Sequence, residues 1–160
     1  MLWSRSTGIE SGFLTESDLR NSSRAHVELW RAMLRLQPTL PSDSQVLISV
    51  QAHGKLRVYH QIYAYQMPAF WYRDPSIVIR KPEDRRAGTG PEFLFSVPQD
   101  LDIVRIDPST YRTTSASGRT PPYLTVEQAL RTYAVGLAGS GETDAAARLL
   151  VEMPEIDRSY

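Results

Sequence analysis

The sequence predicts an α+β fold: a mainly antiparallel sheet of about four to five strands, an N-terminal helix and a C-terminal αα-hairpin. Three observations carry this reading. Apolar residues recur at helical spacing between Thr15 and Gln37 and again after Thr125. Between residues 45 and 106 they alternate with polar ones, and Gly- and Pro-containing turns separate those runs at short intervals. Short connections favour antiparallel pairing, because parallel crossovers need longer ones. With 160 residues, one domain spanning 1–160 is the natural unit, large enough to bury a core without staples.

The elements follow in order. Residues 1–14, with scattered Trp3, Ile9, Phe13 and Leu14, read as an irregular N-terminal arm. Thr15 can cap a first helical piece, Asn21-Ser22-Ser23 interrupts it, and Ser22 or Ser23 can cap a second. In that second piece Val27, Trp30 and Leu34 share a stripe, widened by Leu29, Met33 and Leu36, and Pro38 ends it. Gln45–Gln51 alternates through Val46, Ile48 and Val50, with Leu47 as the exception, and Ala52-His53-Gly54-Lys55 reads as a hairpin turn. The run 55–65 places Leu56, Val58, His60, Ile62 and Ala64 on one strand face. Arg57, Tyr59, Gln61, Tyr63 and Tyr65 fall on the other. Ser76–Lys81, Glu92–Val97 and Leu101–Ile106 read as further strands. Residues 107–122 form a long polar loop, the kind that carries function or contacts a partner. Thr125, with Gln128 three residues on, caps a helix whose packed face is Val126, Ala129, Leu130, Tyr133, Ala134 and Leu137. Gly139-Ser140-Gly141 breaks the chain, and Thr143 caps the last helix.

Composition excludes several functions. There is no cysteine, so disulfides and cysteine-ligated metal or redox sites are ruled out. The formal net charge is zero, which argues against a dominant basic field for nucleic acid. Lys55 and Lys81 are the only lysines. An Arg- and Tyr-rich chain suits protein interfaces, although codon bias toward arginine gives the same composition. No stretch approaches the ~18 apolar residues of a membrane span. Met1 to Ser6 lacks the order of a signal peptide, so the expected location is the cytoplasm or a virion, with no membrane contact.

No linear motif of catalysis is present. Gly88-Thr89-Gly90 and Gly139-Ser140-Gly141 lack the remaining ligands of a phosphate loop, and no nucleophile elbow occurs. Asp100 and Asp102 share a strand parity suited to one hard cation, but Asp107 falls on the opposite face. Paired acids flanking a strand are more often solvated turn residues, so neither a metal nor a cofactor is expected. His53 and His60 would converge across the hairpin only if its turn brought them to one side, which would give a metal-independent nuclease by general acid–base action.

The reading that follows is a non-catalytic structural or protein-interaction subunit of a larger viral or bacterial assembly, its partner being protein: a second copy or another subunit. Its contact residues are Arg57, Tyr59, Tyr63 and Tyr65 with the aromatic run Phe70, Trp71 and Tyr72. The alternative is nucleic-acid binding, with tyrosines stacking on bases and Arg80, Arg85 and Arg86 engaging phosphates.

Overall fold

In the computed structural model the backbone is described for residues 16–51, 62–63 and 66–157. The N-terminal arm, the hairpin turn, His53, Arg57, Tyr59, His60 and Tyr65 lie outside the described residues. The element order is α1 (Glu16–Leu36), β1 (Gln45–Val50), α2 (Met67–Trp71), β2 (Val78–Arg80), a 3₁₀ turn (Pro82–Asp84), β3 (Glu92–Val97), β4 (Val104–Ile106), β5 (Thr113–Ser115), α3 (Tyr123–Gly139) and α4 (Thr143–Asp157). The α+β class and the five-stranded sheet agree with the sequence reading, and so do the N-terminal helix and the C-terminal helix pair.

The sheet is mixed rather than mainly antiparallel. Its order is β2-β1-β3-β4-β5, with β1 parallel to both β2 and β3 and the remaining pairs antiparallel. Two crossovers make this possible. Residues 51–77 carry the chain from β1 back to β2 and include α2. Residues 81–91 then pass over β1 to reach β3, by way of the 3₁₀ turn. Gln45, Val46 and Leu47 pair with β2 on one edge and β3 on the other, so that half of β1 has no edge left for a hairpin partner.

Layering explains the sequence of β1. Val46 and Ile48 join Leu29, Ala32 and Met33 of α1 in one core, together with Ile79, Phe95 and Val97. Leu47 joins Leu94, Val104 and Ile106 in a second core under α3 and α4, with Val126, Leu130, Leu137 and Leu149. The sheet is therefore covered on both faces, and Leu47, the exception to the alternation, is what a strand buried on both sides requires.

Four further expectations are corrected. The first helix is continuous through Asn21-Ser22-Ser23. Its buried face is Leu29, Ala32 and Met33, with Ala25 and Leu36 packed beside them, whereas Trp30 is 39 % exposed. The stretch 107–122 is not one loop: Thr113–Ser115 pairs with β4 as a short edge strand. Finally, α3 begins at Tyr123 with Pro122 at its N-cap (φ −58°), so Thr125 stands inside the first turn rather than capping it. The ring of Pro122 presets a backbone that enters a helix well, which moves the start upstream of the hydroxyl.

Candidate functional site

The aromatic run predicted as a contact surface divides between inside and outside. Met67–Trp71 is a single helical turn, and Ile62–Tyr63 is also helical, so Tyr63 does not sit on a strand face. Its hydroxyl donates to the Ile48 carbonyl, on the edge of β1 beyond the reach of β2. Gln66 acts in the same way one strand further out. Its amide nitrogen donates to the Ile79 carbonyl at 3.2 Å, and its oxygen accepts the Ile79 N–H at 2.9 Å. A side-chain amide carries the same donor and acceptor as a peptide, so here it stands in for a missing strand.

Trp71 and Tyr72 turn toward α1. The Trp71 indole N–H donates to His26 Nε2 at 3.3 Å, with the two rings 5.4 Å apart and tilted by 56°. That bond needs a neutral imidazole, and partial burial indeed lowers the His26 pKa from its ordinary value. The Tyr72 hydroxyl donates to the Gln37 carbonyl at 2.6 Å, where α1 leaves its last carbonyls unsatisfied. Burial pushes this phenol well above its ordinary pKa, against the opposing charge of Arg105.

Phe70 is the member that stays outside, with 69 % of its surface exposed. Trp30 lies one helical turn along α1 from His26, and Phe70 precedes Trp71 in the chain, so each exposed ring neighbours one member of the half-buried His26–Trp71 contact. Val27 and Leu34 extend the Trp30 stripe and are half-buried. The result is a corner where the hydrogen-bonded His26–Trp71 pair joins α1 to α2 and each helix carries one exposed aromatic ring. Trp30 belongs to the corner although the sequence reading assigned it to the core; its position one stripe away from Leu29 and Met33 was the available signal.

The arginines predicted for phosphate also divide. Arg85 has a side chain only 7 % exposed, and its guanidinium is fully engaged. It meets Glu92 at 2.8 and 2.9 Å, Glu142 at 2.6 Å and the Ser140 hydroxyl at 2.7 Å, and it lies 5.7 Å from the centre of the Tyr133 ring. Burial and the adjacent Glu92 push the Tyr133 phenol up to about 12. Arg85 thus ties the loop before β3 to the α3–α4 turn. Arg86 is exposed, and its backbone is held by the buried Gln45 amide, at 2.9 Å through its N–H and at 3.0 Å through its carbonyl. Arg80 and Arg86 line a shallow groove of about 470 Å³, which Glu83 and Asp84 also line.

The acids are turn residues. Asp107 accepts from the Ser109 N–H and hydroxyl at 2.9 and 2.7 Å, which holds its carboxyl down at about 2. Asp102 accepts from the Ser117 N–H at 2.9 Å, and Asp100 accepts the Asp102 N–H at 3.1 Å. Among the described residues no group of three or more His, Asp or Glu side chains could hold a metal ion, and no helix is long and apolar enough to cross a membrane.

A comparison of the chain with protein-family models, with curated proteins and with solved structures finds no match.

Proposed function

We propose that this protein is a non-catalytic subunit that assembles with other protein through the aromatic corner of α1 and α2. The exposure of Phe70 at 69 %, with Trp30 of α1 also exposed at 39 %, is the observation that carries the reading. Leaving two large rings in water forgoes roughly 2 kcal/mol each of available burial, and such rings are the usual anchors of protein interfaces. The stripe Val27, Trp30 and Leu34 adds to it: α1 has a second apolar face that the sheet does not use. Arg57, Tyr59 and Tyr65, also expected at the contact, lie outside the described residues, and Tyr63, Trp71 and Tyr72 support the corner from within.

Nucleic-acid binding has less behind it. With Arg85 committed to Glu92 and Glu142, it rests on Arg80, Lys81 and Arg86 in a groove shared with two acids. It predicts affinity that falls steeply with salt.

Light scattering across protein concentration, at low and high salt, tests the proposal. A discrete oligomer that persists at high salt is expected, and Trp30→Ala together with Phe70→Ser should return it to a monomer with unchanged circular dichroism. A monomer at every concentration, or an oligomer indifferent to both substitutions, removes this corner as the assembly surface.

A further inference from the structure

A different part of the molecule has the form of a small-ligand site. The last rung between the parallel strands β1 and β3 is the bond from the Gln51 N–H to the Val97 carbonyl, at 2.8 Å. Beyond it the two connections part: β1 leads to β2 on one side of the pair, and β3 leads to β4 on the other. Sheets with parallel strands bind ligands at this kind of divergence, outside the carboxyl ends of the strands. A crevice of about 360 Å³ lies here, between the ends of the two strands and the amino end of α3. That is room for a small organic molecule.

Its lining carries carboxylates, amides and a hydroxyl, but no Lys or Arg among the described residues. Gln51 donates through its amide nitrogen to the Ser96 hydroxyl at 2.9 Å and to the Thr125 carbonyl at 2.7 Å, which bridges the sheet to α3 and leaves its own oxygen unengaged among the described residues. Asp100 uses one oxygen on the Asp102 N–H, and its other has no partner among the described residues. Thr125 lines the crevice at only 7 % exposure, and its hydroxyl has no partner among the described residues. A buried hydroxyl left unpaired is costly, and a ligand group is one way to satisfy it. The first turn of α3 has no side-chain cap, so the positive end of a seventeen-residue helix opens at the same crevice. Pro98, Val104 and Pro121 supply apolar wall.

We infer that this crevice binds a small zwitterion, an α-amino acid with an apolar side chain. Its ammonium lies against Asp100 and the Gln51 oxygen. Its carboxylate meets the amino end of α3 and the Thr125 hydroxyl, and its side chain rests on Pro98, Val104 and Pro121. The inference is independent of the assembly proposed for the aromatic corner, and none of its residues belongs to that corner.

The test is an amide-resolved NMR titration of the intact chain with three probes that share one apolar tail: L-leucine, isoamylamine and isocaproate. Saturable shifts at Gln51, Thr125 and Val126 are expected with L-leucine, at an affinity at least about tenfold above either single-charge analogue. Asp100→Asn keeps the oxygen that accepts the Asp102 N–H and Thr125→Val keeps the side-chain shape, so both should leave the remaining spectrum intact while weakening L-leucine several-fold. Binding of isoamylamine or isocaproate as tight as that of L-leucine overturns the zwitterion assignment. Absence of saturable shifts at these amides, or L-leucine binding unchanged in both variants, overturns the site.

Discussion

Replacing Arg85 by Met keeps an unbranched apolar stem and removes the guanidinium with its charge, so the consequence can be worked from what the guanidinium touches. Arg85 is 7 % exposed and Glu92 is 17 % exposed, whereas Glu142 is 41 % exposed. Removing one member of a fully buried ion pair costs ~3–5 kcal/mol, because the other charge is left without a partner. The Glu142 arm recovers water easily and adds at most ~1 kcal/mol. Glu92 keeps two donors, the Tyr133 hydroxyl at 3.1 Å and the Gln45 amide nitrogen at 3.3 Å, which lowers the penalty of its isolation. The net loss for Arg85→Met is therefore about 3 kcal/mol, or a fall of ~6–12 °C in midpoint for a domain of this size. Neutralising the stranded acid should recover part of it: Arg85→Met/Glu92→Gln is expected to be more stable than Arg85→Met alone by about 1 kcal/mol, since an amide tolerates that site better than an unpaired carboxylate. Urea denaturation of the four members of the cycle measures both quantities. A single variant within about 1 kcal/mol of the parent, or a double variant no better than Arg85→Met, would show that the pair is solvated and that the burial argument fails.

Three other predictions concern packing and pH. Gly136 faces the Pro82 carbonyl so closely that an added Cβ would lie 2.0 Å from its oxygen, so Gly136→Ala should destabilise by about 3 kcal/mol in thermal melting, while Gly139→Ala, with open space around it, should stay within about 0.5 kcal/mol. The His26 pKa is lowered in the folded state, so its contribution is present above the unfolded value of about 6.5 and is lost as pH falls below it. Tryptophan emission should therefore change reversibly on acidification, and His26→Gln should abolish the change. Asp107 is held down at about 2, below an unfolded value of about 3.9, so its contribution is complete above that value and lost as pH falls from there toward 2. Asp107→Asn should flatten this limb of the urea midpoint against pH.

The sequence was legible where one physical pattern dominated. The helices α3 and α4 bury a single stripe each and meet at Gly139-Ser140-Gly141, so spacing and turn chemistry were sufficient. Strand β3 was legible for the same reason. The sheet's topology was not, because alternation says that a segment is extended but not which neighbour it pairs with or in which direction. The clue was Leu47: an apolar residue on the supposed polar face of β1 marks burial on both sides, which goes with helices on both faces and parallel neighbours. Trp30 misled for a related reason. A helix with two apolar stripes does not say which one the core takes, and here Leu29 and Met33 won.

The candidate corner was only half legible, because what closes the sheet beside it is not a linear pattern. Gln45 pairs with the backbone of Arg86, Gln66 with that of Ile79, and the Tyr63 hydroxyl with Ile48, so side chains satisfy groups that another strand would otherwise take. In the sequence Gln45 and Tyr63 read as the polar half of an alternating strand, and Gln66 stands just beyond the run. The difference matters for recognition. A partner that docks by adding a strand needs open backbone groups along an edge, and on the β2 side Gln66 already occupies both groups of Ile79. In the assembly we propose, contact on that side of the molecule falls instead to side chains standing outside the sealed edge. Val78 of β2 itself and Phe70, three residues after the helix containing it begins, are exposed apolar side chains there, and Trp30 stands one turn from the histidine that anchors that helix. The features that seal the sheet edge thus also set the chemistry of the surface beside it: an apolar, aromatic patch rather than a strand.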